Sequence, residues 1–130
     1  MSAPVAIAIH DLKQGRAALD AARRLSVPVA LRTAPGAAAY LGAGYLAALE
    51  DALGVPLLVD CGGDAGLVMA ALRAGSRRLA FNGRHDVAIK LQSMCGQMNA
   101  RFEWETRPPS CLVLAPGDDP LRRLVLHLRE

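Results

Sequence analysis

The segment from Val55 to Gly83 constrains the fold more than any other part of the chain, because it reads as a strand, a glycine turn, a helix and a second strand. Its continuous apolar run over 55–59 is typical of a parallel strand that is covered on both faces. Two glycines in the turn admit backbone angles that side chains forbid, and Asp64 is placed to cap the helix that follows. Gly75 is suited to end that helix, after which a second apolar run begins. The segment therefore predicts one βαβ unit.

The same alternation of strand and helix patterns recurs along the rest of the chain, with a strand about every 25 residues. The repeat predicts an α/β fold, built from βα units around a mostly parallel sheet of about five to six strands. The whole chain, residues 1–130, is expected to form a single domain. Two architectures stay open: a half-TIM-barrel-like sheet and a flavodoxin-like three-layer sandwich. Strands are predicted at 5–9, 27–31, 55–59, 79–81, 102–106 and 111–115, and helices at 12–25, 37–53, 85–100, in the central βαβ unit and from Pro120 onward.

Composition argues against several classes of partner. The formal charge of +3 comes from basic residues spread along the chain, and aromatic residues make up 4%, so the sequence lacks the aromatic and basic interleaving of single-strand nucleic-acid binding. No stretch reaches the roughly 20 apolar residues that cross a bilayer. The three cysteines are widely spaced with no CxxC pair, which fits a reducing compartment better than a disulfide framework. We therefore expect a cytoplasmic protein that binds neither nucleic acid nor membrane.

Polar residues gather where predicted strands end, which is where α/β folds bind ligands. Asp60 ends the third strand, and a carboxylate there is costly unless it is hydrogen-bonded or used in chemistry. Asp60 is our first catalytic candidate; the alternative is an Asx-type cap of the Gly62-Gly63 turn. That turn leads into a helix N-terminus, whose backbone N–H groups could hold an anion. His10 closes the first strand and either orients a ligand or is satisfied by a backbone carbonyl.

A series of short motifs runs in order along the chain. The motifs are Ile9-His10-Asp11-Leu12, Pro35-Gly-Ala-Ala-Ala-Tyr40, Tyr45-Leu-Ala-Ala-Leu49, Gly54-Val-Pro-Leu-Leu-Val-Asp60, Ala70-Ala-Leu-Arg-Ala-Gly75, Phe81-Asn-Gly-Arg-His85 and Phe102-Glu-Trp-Glu105. Over roughly residues 5–106 the series resembles the N-terminal half of class II, metal-dependent fructose/tagatose-bisphosphate aldolases. The resemblance implies a TIM-barrel-like fold and an aldehyde-lyase that polarises a ketone with its metal.

The resemblance also implies roles for residues at the strand ends, and the sequence departs from several of them. Asp60 matches the family's proton donor, but Cys61 stands where the family has a metal-binding histidine. Asn82 replaces the aspartate of the family's D-G-S-H turn, while His85 matches its histidine. We take Asn82, together with His10 and the Gly62-Gly63 turn, as candidates for ligand binding.

Glu103 and Glu105 keep the family's acidic pair on the fifth strand. A zinc site could be rebuilt from Cys61, His85 and one of these glutamates, since zinc accepts all three ligand types. In the alternative interpretation, Cys61 is a small apolar filler of the core, and His85 caps a helix or faces solvent. The family's second half, with two further metal-binding histidines and its phosphate loops, has no counterpart here. We therefore expect no cofactor, with zinc as the exception to test.

A half-barrel with helices on its outside alone would expose the inner apolar face of its strands, which soluble monomers do not tolerate. We therefore expect a homodimer or a partner that completes the sheet, or a last strand and helix that fold across it, with residues 107–130 responsible. The leading functional hypothesis is a divergent aldolase-like module without aldolase turnover, which binds a small carbonyl or phosphate ligand or associates with itself. The alternatives are a metal-dependent lyase using Cys61, His85 and Glu105, and a structural or regulatory interaction protein with no small-molecule site.

Overall fold

The computed structural model describes residues 3–129 as six strands and six helices. The strands are β1 (Val5–Ile9), β2 (Val29–Thr33), β3 (Leu57–Asp60), β4 (Arg78–Phe81), β5 (Arg101–Trp104) and β6 (Leu112–Val113). The helices are α1 (Leu12–Leu25), α2 (Ala37–Leu41), α3 (Ala43–Leu53), α4 (Ala65–Ala74), α5 (His85–Gln97) and α6 (Pro120–Leu128). Within this range no helix combines the length and the apolarity needed to cross a membrane.

The six strands form one sheet in the order β5-β4-β3-β2-β1-β6, and every neighbouring pair is parallel. The predicted α/β fold with a parallel sheet is confirmed. The first five strands are neighbours in chain order, as in a half-barrel, whereas a flavodoxin-like sheet places its first strand between the second and third. Strand β6 then returns to the free side of β1, where Leu112 lies opposite Ile7. The carboxyl ends of the strands therefore share one edge of the sheet.

The helices form a continuous row over the sheet. Helix α1 contacts α6 on one side and α3 on the other, and α4 contacts both α3 and α5. Right-handed crossovers between strands placed in chain order put all their helices on the same face. The main core lies between this row and the sheet, and its largest buried strand residues are Ile7, Ile9, Leu57, Val59, Leu79 and Phe81.

The predicted ends of two helices are confirmed by their capping bonds. The Asp11 carboxylate accepts a hydrogen bond from the backbone N–H of Gln14 at 2.7 Å and begins α1. At the start of α4, the Asp64 carboxylate accepts a hydrogen bond from the backbone N–H of Gly66 at 2.8 Å. Gly75 ends α4 with a φ of +103°, an angle that favours glycine. These ends are local in sequence, and local patterns predicted them.

Other predicted boundaries need correction. The single helix predicted over 37–53 is divided into α2 and α3, because Gly42 adopts φ +87° and ψ 151°, which interrupts helical hydrogen bonding. Strand β2 begins at Val29, directly after Pro28, since proline has no N–H to give to a strand ladder. The helix predicted to run to residue 100 ends at Gln97. The remaining elements begin and end within a few residues of their predicted limits.

The face of the sheet opposite the helices, called here the inner face, carries Ala8, Arg32, Asp60, Ala80 and, directly after β5, Glu105. These residues alternate along the chain with the apolar residues of the main core. Leu58 and Val113 are large apolar side chains on the same face. The connection over 106–111 runs from β5 to β6, and its prolines line the same cavities as the inner-face residues. The inner face is thus partly polar and partly covered by this connection, and self-association stays a prediction.

Candidate functional site

A cavity of about 420 Å³ opens on the inner face at the carboxyl edge of the sheet. Its walls come from strand ends and from the 106–111 connection. The lining residues with functional groups are Arg32, Asp60, Asn82, Glu105, Arg107 and Cys111. Parallel α/β folds bind their ligands at this place, so the cavity lies where the polar strand ends predicted a site.

Arg32 forms the centre of the cavity wall. Its side chain is 5% exposed, and its two terminal nitrogens donate to the Glu105 carboxylate at 2.9 and 2.8 Å. The Nη2 atom also donates to Asp60 Oδ2 at 3.4 Å. The hydrogen bonds with Glu105 raise the pKa of Arg32, while burial acts in the opposite direction and is the weaker effect. A buried arginine is thus held by two carboxylates, with Glu105 the closer and bidentate partner.

The contact between Arg32 and Glu105 spans several strands of the inner face. Arg32 is on β2 and Glu105 follows β5, so β3 and β4 lie between them. In a flat sheet this separation is about 14 Å. The two long side chains extend over β3 and β4 and meet in a bidentate contact. The ion pair therefore lies across the inner face.

Asp60 has the local role that the sequence offered as an alternative, and it also faces the cavity. Its Oδ1 accepts a hydrogen bond from the Gly62 N–H at 2.9 Å, which is the predicted Asx-type turn. Its Oδ2 faces Arg32. The backbone N–H of Asp60 donates to Thr33 Oγ1 at 3.0 Å, which fixes the strand end against β2. The capping role is confirmed, and the catalytic role stays a prediction.

The Gly62-Gly63 turn packs against the next strand end. Gly62 has a φ of +59°, and its carbonyl accepts the N–H of Asn82 at 2.8 Å. A Cβ atom on Gly63 would lie 3.3 Å from Asn82 Oδ1, so glycine permits this close approach. Beyond the turn, Asp64 Oδ1 already accepts two N–H groups from the first turn of α4. Because these two N–H groups already donate to Asp64, fewer donors are free at the start of α4 to bind an anion.

His10 lies outside the cavity lining. Its Nε2 is 2.6 Å from the carbonyl oxygen of Leu114, and its backbone N–H donates to Gln14 Oε1 at 2.8 Å. The ring therefore fastens β1 to the segment after β6. The interpretation of His10 as a histidine satisfied by a backbone carbonyl is confirmed.

The candidate metal ligands lie apart. Cys61 is 2% exposed and belongs to the core under the helices, where burial raises the pKa of its thiol to about 12, with a smaller effect from Asp60. His85 begins α5 and stacks on Trp104, with ring centroids 4.6 Å apart. Glu103 lines an adjoining groove, which shares Arg32 and Glu105 with the cavity. Among residues 3–129, no three His, Cys, Asp or Glu side chains are grouped to hold a metal ion. The structure does not assemble the proposed ligand set, and zinc binding stays a prediction.

Arg32, Arg107 and Cys111 were not among the candidates from sequence, although all three line the cavity. Arg32 had a usable signal: it is a charged residue inside an otherwise apolar strand, at a position that alternates with core residues. Such a residue is rarely buried unless it is paired. Arg107 and Cys111 had no such signal, because they lie in and beside an irregular connection whose path depends on the placement of β5 and β6 at opposite edges of the sheet.

A comparison of the sequence with protein-family models and with curated proteins finds no match. The relationship to class II aldolases therefore stays a prediction from the motifs.

Proposed function

We propose that this protein binds a small polar molecule, carrying a carbonyl or phosphate group, in the cavity at the carboxyl edge of its sheet. The observation that carries the proposal is the buried Arg32 guanidinium in the wall of that cavity, fixed by Glu105 and Asp60. The fixed guanidinium presents its remaining N–H groups in one orientation. A ligand oxygen would meet a donor that needs little reorganisation on binding.

Energetics favour a binding role over a purely structural one. Burying an ion pair costs desolvation energy that its attraction barely repays, and apolar residues of similar size are often as stabilising or more so. Stability alone therefore gives little reason for a charged cluster at this position. The two carboxylates accept three of the five N–H donors of Arg32, which leaves two for a carbonyl or phosphate oxygen.

The charges of the cavity define the class of ligand further. Two arginines, Arg32 and Arg107, are balanced by two carboxylates, Asp60 and Glu105. The cavity lining therefore carries no net negative charge that would repel a phosphate group, and a neutral carbonyl compound is accommodated as well. Asn82 adds an amide that can both donate and accept hydrogen bonds. The volume of about 420 Å³ lies within the range of small-molecule sites.

Isothermal titration calorimetry with three probes tests the proposal. Dihydroxyacetone phosphate carries both groups, hydroxyacetone carries only the carbonyl, and inorganic phosphate carries only the phosphate. We expect dihydroxyacetone phosphate to bind, and the other two probes to show which group supplies the affinity. Asn82→Ala and Arg107→Gln should each weaken binding about tenfold, since each removes a polar contact.

Arg73→Gln is the matched control, because Arg73 is exposed on α4 and lies outside the cavity. Its affinity for the probes should equal that of the unmodified protein. The proposal fails if none of the three probes binds at millimolar concentration, or if binding is indifferent to both cavity variants.

A further inference from the structure

Within residues 3–129, the edge of the sheet at β5 has backbone groups with no neighbouring strand. Strand β5 is the last strand in the order, and its inward ladder includes the N–H of Arg101 to Arg77 O and of Glu105 to Phe81 O. Backbone groups alternate in direction along a strand, so those of Phe102 and Trp104 point away from β4. An open edge of this kind is a template for pairing with another strand.

Two arginines of neighbouring strands lie side by side at this edge. Arg78 of β4 and Arg101 of β5 lie directly opposite each other in the parallel register. Like charges at opposite positions of neighbouring strands are destabilising. Over residues 3–129, neither arginine takes part in an ion pair. A carboxylate placed next to Arg101 on its open side would relieve this repulsion.

We propose that the open edge of β5 is the interface of a homodimer, in which two copies of β5 pair antiparallel about Phe102. In that register Phe102 exchanges two backbone hydrogen bonds with Phe102 of the second copy. Arg101 then faces Glu103 of the second copy, and the symmetry repeats the pair. The sequence of β5 is thus complementary in charge to itself when reversed. A second copy of this chain is the occupant that this complementarity selects.

The helix above the edge contributes a matching surface. His85 stacks on Trp104 and so marks the side of α5 that lies along the edge. Ile89 and Gly96 follow His85 at four and eleven residues, which keeps them on the same stripe of the helix. Ile89 is 56% exposed and Trp104 is 40% exposed. A two-fold axis through Phe102 brings these apolar groups from the two copies toward each other on the helix side of the sheet.

The register makes the pairing selective. Centring the pair on Glu103 instead would set two glutamates directly opposite each other, which is unfavourable. Charged edges usually block strand addition, but here the block is relieved by a reversed copy of the same strand. The interface is small, because β5 has four residues, so the dimer should dissociate on dilution. It uses a different surface from the cavity and does not depend on the proposed ligand.

Sedimentation velocity tests the proposed dimer. It is measured over a range of protein concentrations for the unmodified protein and for variants with reversed charges. The unmodified protein should show a monomer–dimer equilibrium. Arg101→Glu and Glu103→Arg should each weaken dimerisation at least about tenfold, and the double variant should return to within about threefold of the unmodified protein, because it restores both pairs. Arg73→Glu, at an exposed site away from the edge, should change nothing. A protein that stays monomeric to about 1 mM, or a dimer that ignores both single reversals, overturns the proposal.

Disulfide cross-linking tests the proposed strand register, and its result does not depend on measuring the affinity of the dimer. In a Cys111→Ser background, Arg101→Cys protein is mixed with Glu103→Cys protein under mild oxidation. The two thiols would occupy a pair of positions with Cα atoms about 4.5 Å apart, within the range of a disulfide. We expect cross-linked heterodimers from the mixture and far fewer from either protein alone. Equal cross-linking of Arg101→Cys with itself, or none in the mixture, rejects this register.

Discussion

The helix-covered face of the sheet and its inner face are built from alternate residues of the same strands, yet they differ in almost every physical property. Under the helices, Ile7, Val59, Leu79 and Phe81 are at most 2% exposed and form one apolar core. On the inner face, the neighbouring positions carry alanine, charged residues and Leu58, and Arg32 is buried there among carboxylates. The helix-covered face stabilises the fold, and the inner face carries the polar groups of the candidate site.

The difference shows how alternate residues of one set of strands serve two environments. The core under the helices supplies stability, while small residues such as Ala8 and Ala80 leave room on the inner side for charged side chains. Arg32 extends over the neighbouring strands there and meets its two carboxylates. The same alternation places Asp60 on the inner face and Cys61 in the core, although they are neighbours in sequence.

The largest expected effect lies on the helix-covered face. Phe81 is 2% exposed in the core, so Phe81→Ala should lower the free energy of unfolding by about 3–5 kcal/mol through lost burial and a residual cavity. Urea denaturation measures this change. A loss below about 1 kcal/mol would mean that the two faces do not differ in their contribution to stability as described.

A somewhat smaller loss in the free energy of unfolding is expected for a substitution on the inner face, and its cause is electrostatic. Arg32→Met leaves Glu105 without its bidentate partner and should destabilise the fold by about 3 kcal/mol. The double variant Arg32→Met/Glu105→Leu should recover most of that loss, because the bidentate carboxylate is removed together with the arginine, and Asp60 keeps its hydrogen bond from the Gly62 N–H. Additive losses in urea denaturation would show that the ion pair does not form in solution.

The effect that is smallest at neutral pH concerns the Cys61 thiol, and it grows as the solution becomes alkaline. The pKa of its thiol is raised from an ordinary 9.0 to about 12, chiefly by burial, so the folded state favours the neutral thiol. Its contribution to stability is therefore complete below pH 9 and is lost as the pH rises toward 12, with a slope of at most about 1.4 kcal/mol per pH unit. Unfolding of the protein and of Cys61→Ala is compared across this window. A thiol exposed in the cavity would give the two proteins the same pH dependence.

Much of the fold was predictable because its signals are local. The bounds of β1 and α1, the caps at Asp11 and Asp64, and the stop at Gly75 follow from residues a few positions apart. The single helix predicted over 37–53 was wrong, because sequence periodicity does not reveal that Gly42 adopts a positive φ. The candidate site was predicted in part. The sequence correctly placed Asp60 and Asn82 at the carboxyl edge of the sheet, but it did not indicate Arg32.

The sequence by itself determined the alternation of strands and helices, the helix caps, the glycine turn at Asp60 and the parallel character of the sheet. These depend on hydrogen bonding and apolar periodicity within single elements or between consecutive ones. Only the tertiary structure decided that β6 returns beside β1, and that Arg32 meets Glu105, a residue 73 positions away in the chain. Such contacts depend on strand order and on which side chains share a face of the sheet, and both are collective results of how the whole chain packs.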